Sequence, residues 1–289
     1  MRVFLTGATG FIGSHVIPEL IGAGHQVLGL TRSDAGAAAL VAAGAEPHQG
    51  HLEDLDSLRS GAAASDGVIH CAFVHDFSKF AENSQIDKVA IEAMGAVLAG
   101  SDRPLIVSGG IGPWAATEDD DHPAQSPTPR VSEPTAMALI PKGVSAAVVR
   151  LPQVHDTTKF GLVSPLIEIA RQKGVSAYIG DGATRWPAAH VSDVARLYRL
   201  AFDKHQTGAR WHAVGEEGVS MKAIAEAVGR GLKLPVVSLS MEEAPAHFGF
   251  FAMFANIDLA SPSTLTQQRL GWKPTGPGMI EDLDHMQVA

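Results

Sequence analysis

One cysteine, Cys71, stands in 289 residues, and that scarcity excludes an internal disulfide framework. It closes an apolar run, so it reads as a small buried residue rather than a reactive thiol, and it fits a reducing compartment. No apolar run is long enough to span a bilayer as a helix, so no membrane association is expected. Blocks of basic residues are missing, and a net charge of −9 argues against nucleic acid as the partner. The chain opens on strand-like residues with no signal-peptide pattern, so a cytoplasmic setting is expected. No set of His, Cys or carboxylate residues has ligand spacing, so no metal is implied. The acidic run Glu118-Asp119-Asp120-Asp121-His122 reads as a solvated turn. Tyrosine is nearly missing as well: the chain has only Tyr178 and Tyr198.

What is present begins at residue 3. Val3-Phe4-Leu5-Thr6 reads as a buried strand, breaks into Gly7-Ala8-Thr9-Gly10-Phe11-Ile12-Gly13, and resumes as a helix. A glycine loop between strand and helix lets a pyrophosphate approach backbone N–H groups at the helix N-terminus. Gly7 suits the tight turn, Gly10 leaves room for phosphate, and Gly13 lets helix pack on strand. Pro18, inside that helix, is expected to bend it.

A second strand, Gln26 to Leu30, ends at Thr31-Arg32-Ser33. An acidic residue here would bind the adenosine ribose and favour NAD. Arg32 suits a 2′-phosphate instead, so NADP(H) is the expected cofactor. NAD(H) is the alternative, with Asp34 taking the ribose. Further strands are read at 46–49, 67–73, 104–110, 143–152 and 209–214, with helical segments between them. Such alternation implies a doubly wound parallel α/β sheet of the Rossmann kind, with its ligand crevice at the carboxyl ends of the strands. Residues 1–152 read as the dinucleotide-binding domain, to which 186–215 returns. Residues 153–185 and 216–289 read as a smaller, mainly helical C-terminal substrate lobe.

The string TGATGFIG resembles the extended short-chain dehydrogenase/reductase superfamily, the NAD-dependent epimerase/dehydratase-like group. The similarity continues through Val68-Ile69-His70-Cys71-Ala72, Val149-Arg150-Leu151-Pro152, His190-Val191-Ser192-Asp193-Val194-Ala195 and Leu270-Gly271-Trp272-Lys273-Pro274. The resemblance implies an oxidoreductase whose cofactor meets Gly7, Thr9, Gly10, Phe11, Ile12, Gly13, Arg32, Leu52, Ala72, Phe73, Ser108 and Leu151. It also implies a homodimer and a small-molecule substrate. His51 stands where the family carries the acidic residue that meets adenine.

Members of this family donate a proton from a Tyr-x-x-x-Lys pair after the fifth strand, with a Ser or Thr nearby to orient the carbonyl. Neither tyrosine here is followed by lysine at the fourth position. Aligning Glu133 and Arg150 with the family's register puts Gln125 in the tyrosine slot, Pro129 in the lysine slot and Gly110 near the serine slot. Replacement groups near the expected crevice are His75 with Asp76, Ser108 and His155. Arg130 and Glu133, one helical turn apart, read as a structural ion pair. The aromatic stretch from Ala246 to Phe254 reads as core, subunit interface or the wall of an apolar pocket.

Three functions stay open on this reading. The first is an NADP(H)-dependent oxidoreductase for a small, largely apolar carbonyl, imine or hydroxy compound, with a non-standard proton donor. The second is a non-catalytic NADP(H)-binding sensor. The third is a nucleotide-sugar epimerase or dehydratase.

Overall fold

The computed structural model describes residues 1–123 and 128–287. The first half alternates strand and helix: β1 (Arg2–Thr6), α1 (Phe11–Gly22), β2 (Gln26–Thr31), α2 (Asp34–Ala42), β3 (Glu46–Gln49), α3 (Leu55–Ala63), β4 (Gly67–His70), α4 (Phe80–Leu98), β5 (Ser101–Gly110), α5 (Ser132–Leu139) and β6 (Val144–Leu151). The chain continues through β7 (Gln153–His155), α6 (Val163–Lys173), β8 (Ser176–Ile179), β9 (Arg185–His190), α7 (Val191–Asp203) and β10 (Arg210–His212). It closes with β11 (Glu216–Ser220), α8 (Met221–Leu232), β12 (Val236–Leu239), α9 (Ala244–Phe248), α10 (Ala252–Ala255), α11 (Thr264–Leu270) and α12 (Met279–Asp284).

Seven strands form one sheet in the order β10-β6-β5-β4-β1-β2-β3, and every pairing within it is parallel. The order turns back between β1 and β4, so their two exits lie side by side and open a crevice. Strand alternation explains how both faces are buried. Val3 and Leu5 of β1 enter a core with Val16, Ile17 and Leu20 of α1 and Leu197 and Tyr198 of α7. Phe4, between them, enters the opposite core with Leu58 of α3 and Ile91 of α4.

The remaining chain is less helical than its sequence suggests. It holds two small sheets, β11-β9-β7 and β12-β8, beside its helices. A separate core gathers Phe160, Leu166, Trp186, Ile224, Phe248 and Phe254. β9 therefore belongs to a small sheet, whereas α7 packs on α1 and β10 completes the large sheet. Asp193 joins the parts. Its buried carboxylate accepts the N–H groups of Thr275 (3.0 Å) and Gly276 (2.7 Å), and its carbonyl accepts Trp272 Nε1 (2.9 Å). Pro18 sits within α1 without ending it.

The glycines of the first loop differ in what they tolerate. A Cβ at Gly13 would lie 2.1 Å from the Gly7 carbonyl oxygen, whereas one at Gly22, in the same helix, would meet nothing within 4 Å. Gly13→Ala should therefore lower the unfolding free energy by about 1–3 kcal/mol through overpacking. Gly22→Ala should leave stability unchanged or raise it by up to about 1 kcal/mol. Urea denaturation of the two variants side by side measures the difference.

Candidate active site

The cleft follows from the close approach of two strand exits. Gly7 adopts φ 67°, and a Cβ there would lie 2.7 Å from Ala72 N and 2.8 Å from the Cys71 carbonyl carbon. Only glycine lets the two backbones meet so closely. α1 then follows Gly10, which caps it with no side-chain hydrogen bond. The N–H groups of its first turn are left without intrahelical partners, at the positive end of the helix dipole. A Cβ on Gly10 would press the Gly7 carbonyl at 3.1 Å, so this glycine also serves the loop's own packing.

The cleft has a volume of about 1340 Å³. Gly7, Thr9, Gly10, Phe11, Ile12, Gly13, Arg32, Leu52, Ala72, Phe73 and Leu151 all line it. At one end Arg32 is exposed beside His51 and Leu52, and it has no ion-pair partner among the described residues. Asp34 begins α2 and is not part of the lining. At the other end the wall is apolar, with Phe73, Phe77, Phe80, Phe254, Ile257 and Leu259. The stretch from Ala246 to Phe254 therefore divides: Phe248 fills the smaller core, Phe254 reaches both core and cleft, and Phe250 is exposed.

The four groups expected to move protons are not gathered together. His75 lines the cleft, and its Nδ1 lies 3.1 Å from the Phe73 carbonyl. Its imidazole is held below the ordinary histidine value, first by partial desolvation against its aromatic neighbours and then by the Arg130 charge. Asp76 is beside it in sequence only. Its carboxylate caps the following turn, accepting Ser78 N (3.0 Å) and Ser78 Oγ (2.6 Å), and it does not line the cleft.

Ser108 turns away from the cleft, contrary to expectation. Its Oγ donates to the His70 carbonyl at 2.7 Å and lies 2.6 Å from the Tyr198 hydroxyl, in the buried layer under α7. The next residues, Gly109 and Gly110, form the cleft wall instead. His155 is also withdrawn: fully buried, its Nδ1 bonds Asp282 Oδ2 at 2.7 Å. Gln125, assigned to the tyrosine slot, lies outside the described residues.

Other expectations also change. Glu133 ignores Arg130 and pairs with the buried Arg150, at 2.9 Å from Nε and 2.6 Å from Nη2, and with Arg210 at 3.0 Å. The acidic run is not solvated throughout. Glu118 is buried and accepts Thr266 N at 2.7 Å, while Asp119 pairs with Arg269 and Asp121 with Arg210. Cys71 reaches the cleft wall, and burial pushes its thiol up to about 12.

Sequence reading missed a buried polar chain. Thr6 Oγ1 lies 2.8 Å from His70 Nδ1 and accepts the Ala72 N–H at 3.2 Å. His70 Nε2 lies 3.0 Å from Asp87 Oδ1, and Ser132 Oγ donates to Asp87 Oδ2 at 2.5 Å. Arg130 Nε donates to Ser132 Oγ at 3.0 Å and Nη2 to the Ser108 carbonyl at 3.2 Å. The chain thus links the glycine loop to a guanidinium in the cleft wall. Burial alone would raise the Asp87 carboxyl. The bonds from His70 and Ser132, with the His70 and Arg130 charges, together hold it below the ordinary range.

Crevice, uncapped helix and glycine turn together define a Rossmann-type α/β protein. Residues 3–97 match the family model described as the NAD dependent epimerase/dehydratase family. An uncharacterized protein of Schizosaccharomyces pombe is 48% identical, with 98% of each chain covered. A ketoreductase of Stigmatella aurantiaca, acting on a farnesyl dihydroquinoline oxide, is 24% identical over 86% of this chain and 80% of its own. The UDP-glucose 4-epimerase of Thermus thermophilus, solved with NAD, superposes with a TM-score of 0.72 at 18% identity, covering 99% of this chain and 97% of that one. Residues 3–97 thus carry the match to the NAD dependent epimerase/dehydratase family, and nearly the whole chain belongs to one family with the Schizosaccharomyces pombe protein. Among the described residues, no helix is long and apolar enough to cross a membrane, and no group of three or more His, Cys, Asp or Glu could hold a metal.

The depressed Asp87 carboxyl has a measurable sign. Its contribution to stability is full above the unfolded value of about 3.9 and is lost as pH falls through the lower folded value. Asp87→Asn should cost about 1–3 kcal/mol at neutral pH, because the buried His70 and Ser132 lose their charged acceptor. The variant should also lose less further stability in acid than the parent. Unfolding free energies measured from pH 7 downwards test both; parallel curves for parent and variant would contradict the assignment.

Proposed function

We propose that this protein is an NADP(H)-dependent oxidoreductase acting on a small, largely apolar carbonyl, imine or hydroxy compound. The observation that carries the reading is one continuous cleft with an uncapped helix N-terminus at its middle, an arginine without an ion pair among the described residues at one end and an aromatic wall at the other. These residues fit the dinucleotide. The N–H groups of residues 11–13 would hold the pyrophosphate, Arg32 the 2′-phosphate, and Leu52 the adenine. Ala72, Phe73 and Leu151 would flank the nicotinamide, which supplies the hydride chemistry when bound.

The protein's own part is to exclude water, orient the substrate and place a proton. Phe77, Phe80 and Phe254 supply the dry wall. Of the groups suggested by sequence, His75 is the one whose imidazole lines the cleft, so it is the proton donor in this reading. A second reading, an NADP(H) sensor without turnover, is favoured by one observation: Ser108, Tyr198 and Tyr178 are all absent from the lining. The relatives that act on nucleotide sugars share the fold, and their substrates do not transfer with it.

The test is NADPH consumption across apolar aldehydes, ketones and imines. His75→Gln should reduce kcat/KM by about 10²- to 10⁴-fold, the usual worth of a general acid. Asp76→Asn should stay near the parent. A histidine donor must be protonated, so reduction should fall as pH rises, with a midpoint below about 6.5. Full turnover in His75→Gln removes that residue from the mechanism. NADPH binding without turnover on any compound supports the sensor reading.

A further inference from the structure

Arg130 is a cation whose nearest carboxylates are already engaged. Its guanidinium lies in the cleft wall, 4.2 Å above the Phe73 ring centroid. Among the described residues its hydrogen bonds are to neutral oxygens, Ser132 Oγ and the Ser108 carbonyl. It forms no ion pair among the described residues. Asp87 is next along the chain of bonds, but His70 takes one of its oxygens and Ser132 the other. Glu133, one turn away in sequence, gives both oxygens to Arg150 and Arg210.

Burial lowers the Arg130 value from the ordinary one, and the Asp87 charge partly offsets it. A partly buried guanidinium lacking a direct counter-ion among the described residues is costly, and an arriving anion relieves that cost. The planar fork of arginine matches a carboxylate better than a point charge does. The surrounding wall is apolar, with Phe73, Phe77, Phe80 and Phe254.

We infer that Arg130 receives an acidic oxygen of the substrate, so that the substrate is an apolar body carrying a carboxylate. This rests on the oxidoreductase reading for the identity of the site and narrows its substrate class to oxo or hydroxy acids with an aryl or alkyl body. Arg130 is then a specificity-determining residue, held in place from behind by the buried Ser132 and Asp87. Lys159, the other cation on this side, stands over the Phe11 ring at 5.5 Å, at the start of α1. It serves as the internal control.

The experiment is calorimetric binding of phenylacetate and of its neutral isostere phenylacetamide, to the protein alone and with saturating NADP⁺. Phenylacetate should bind about tenfold tighter or more, as expected for a charge-assisted bidentate contact. Arg130→Met should level the two ligands, Arg130→Lys should keep part of the preference, and Lys159→Met should keep all of it. Equal affinities in the parent, absence of binding by phenylacetate, or a preference that survives Arg130→Met would overturn the inference. NADPH affinity, measured in the same preparations, separates the possibilities. Its loss in Arg130→Met alone would give this residue to the cofactor and overturn the inference. Failure of the parent to bind NADPH would instead remove the oxidoreductase reading, while a carboxylate preference measured without nucleotide would still stand.

Discussion

The backbone contact between the first loop and the exit of β4 organises the site. Gly7 rests against Cys71 and Ala72 at distances that exclude any Cβ, and the Thr6 hydroxyl ties down the Ala72 N–H from below. Gly13 in turn seats α1 on the carbonyl of Gly7. The uncapped helix end, the β4 exit with Phe73, and His75 beyond it are therefore positioned by one junction. A shift of the loop would move the uncapped helix end and the aromatic end together.

Buried charge continues from that junction. His70 lies directly before the contact and hands the network to Asp87 and Ser132, which hold Arg130. Elsewhere the buried carboxylates of Glu133, Asp193 and Asp282 have cations or histidines within hydrogen-bonding reach. Such pairs contribute little net stability but are expensive to break, so they fix one arrangement of the loops. Against that background, Arg32 and Arg130 stand out as cleft-lining arginines without an ion pair among the described residues. Both are suited to anions that arrive from outside.

Much of the fold was legible because it rests on local patterns. Apolar runs, glycine breaks and helix caps are short-range signals, and they located each strand of the large sheet. The small sheets were harder: β7 spans three residues and β8 and β12 four each, too short for alternation to declare itself. Within the site, Ser108 was misplaced although a signal existed. Leu105 and Val107 enter one core and Ile106 the other, so strand parity sends Ser108 with Ile106 towards α7 and Tyr198 rather than outwards. Asp76-Phe77-Ser78 likewise carried the pattern of a cap. The His70–Asp87–Ser132–Arg130 chain had no such signal. Its members come from β4, α4, the start of α5 and the loop before it, and only the folded sheet brings them together.

The central claim is that the uncapped α1 terminus and Arg32 hold a phosphorylated dinucleotide. Titration of NADPH and NADH into the parent and into Arg32→Ala measures it directly. The account predicts that NADPH binds about tenfold tighter or more than NADH in the parent, the worth of one charge-assisted phosphate contact, and that Arg32→Ala removes the difference. Equal binding of the two nucleotides by the parent, or binding of neither, would contradict it.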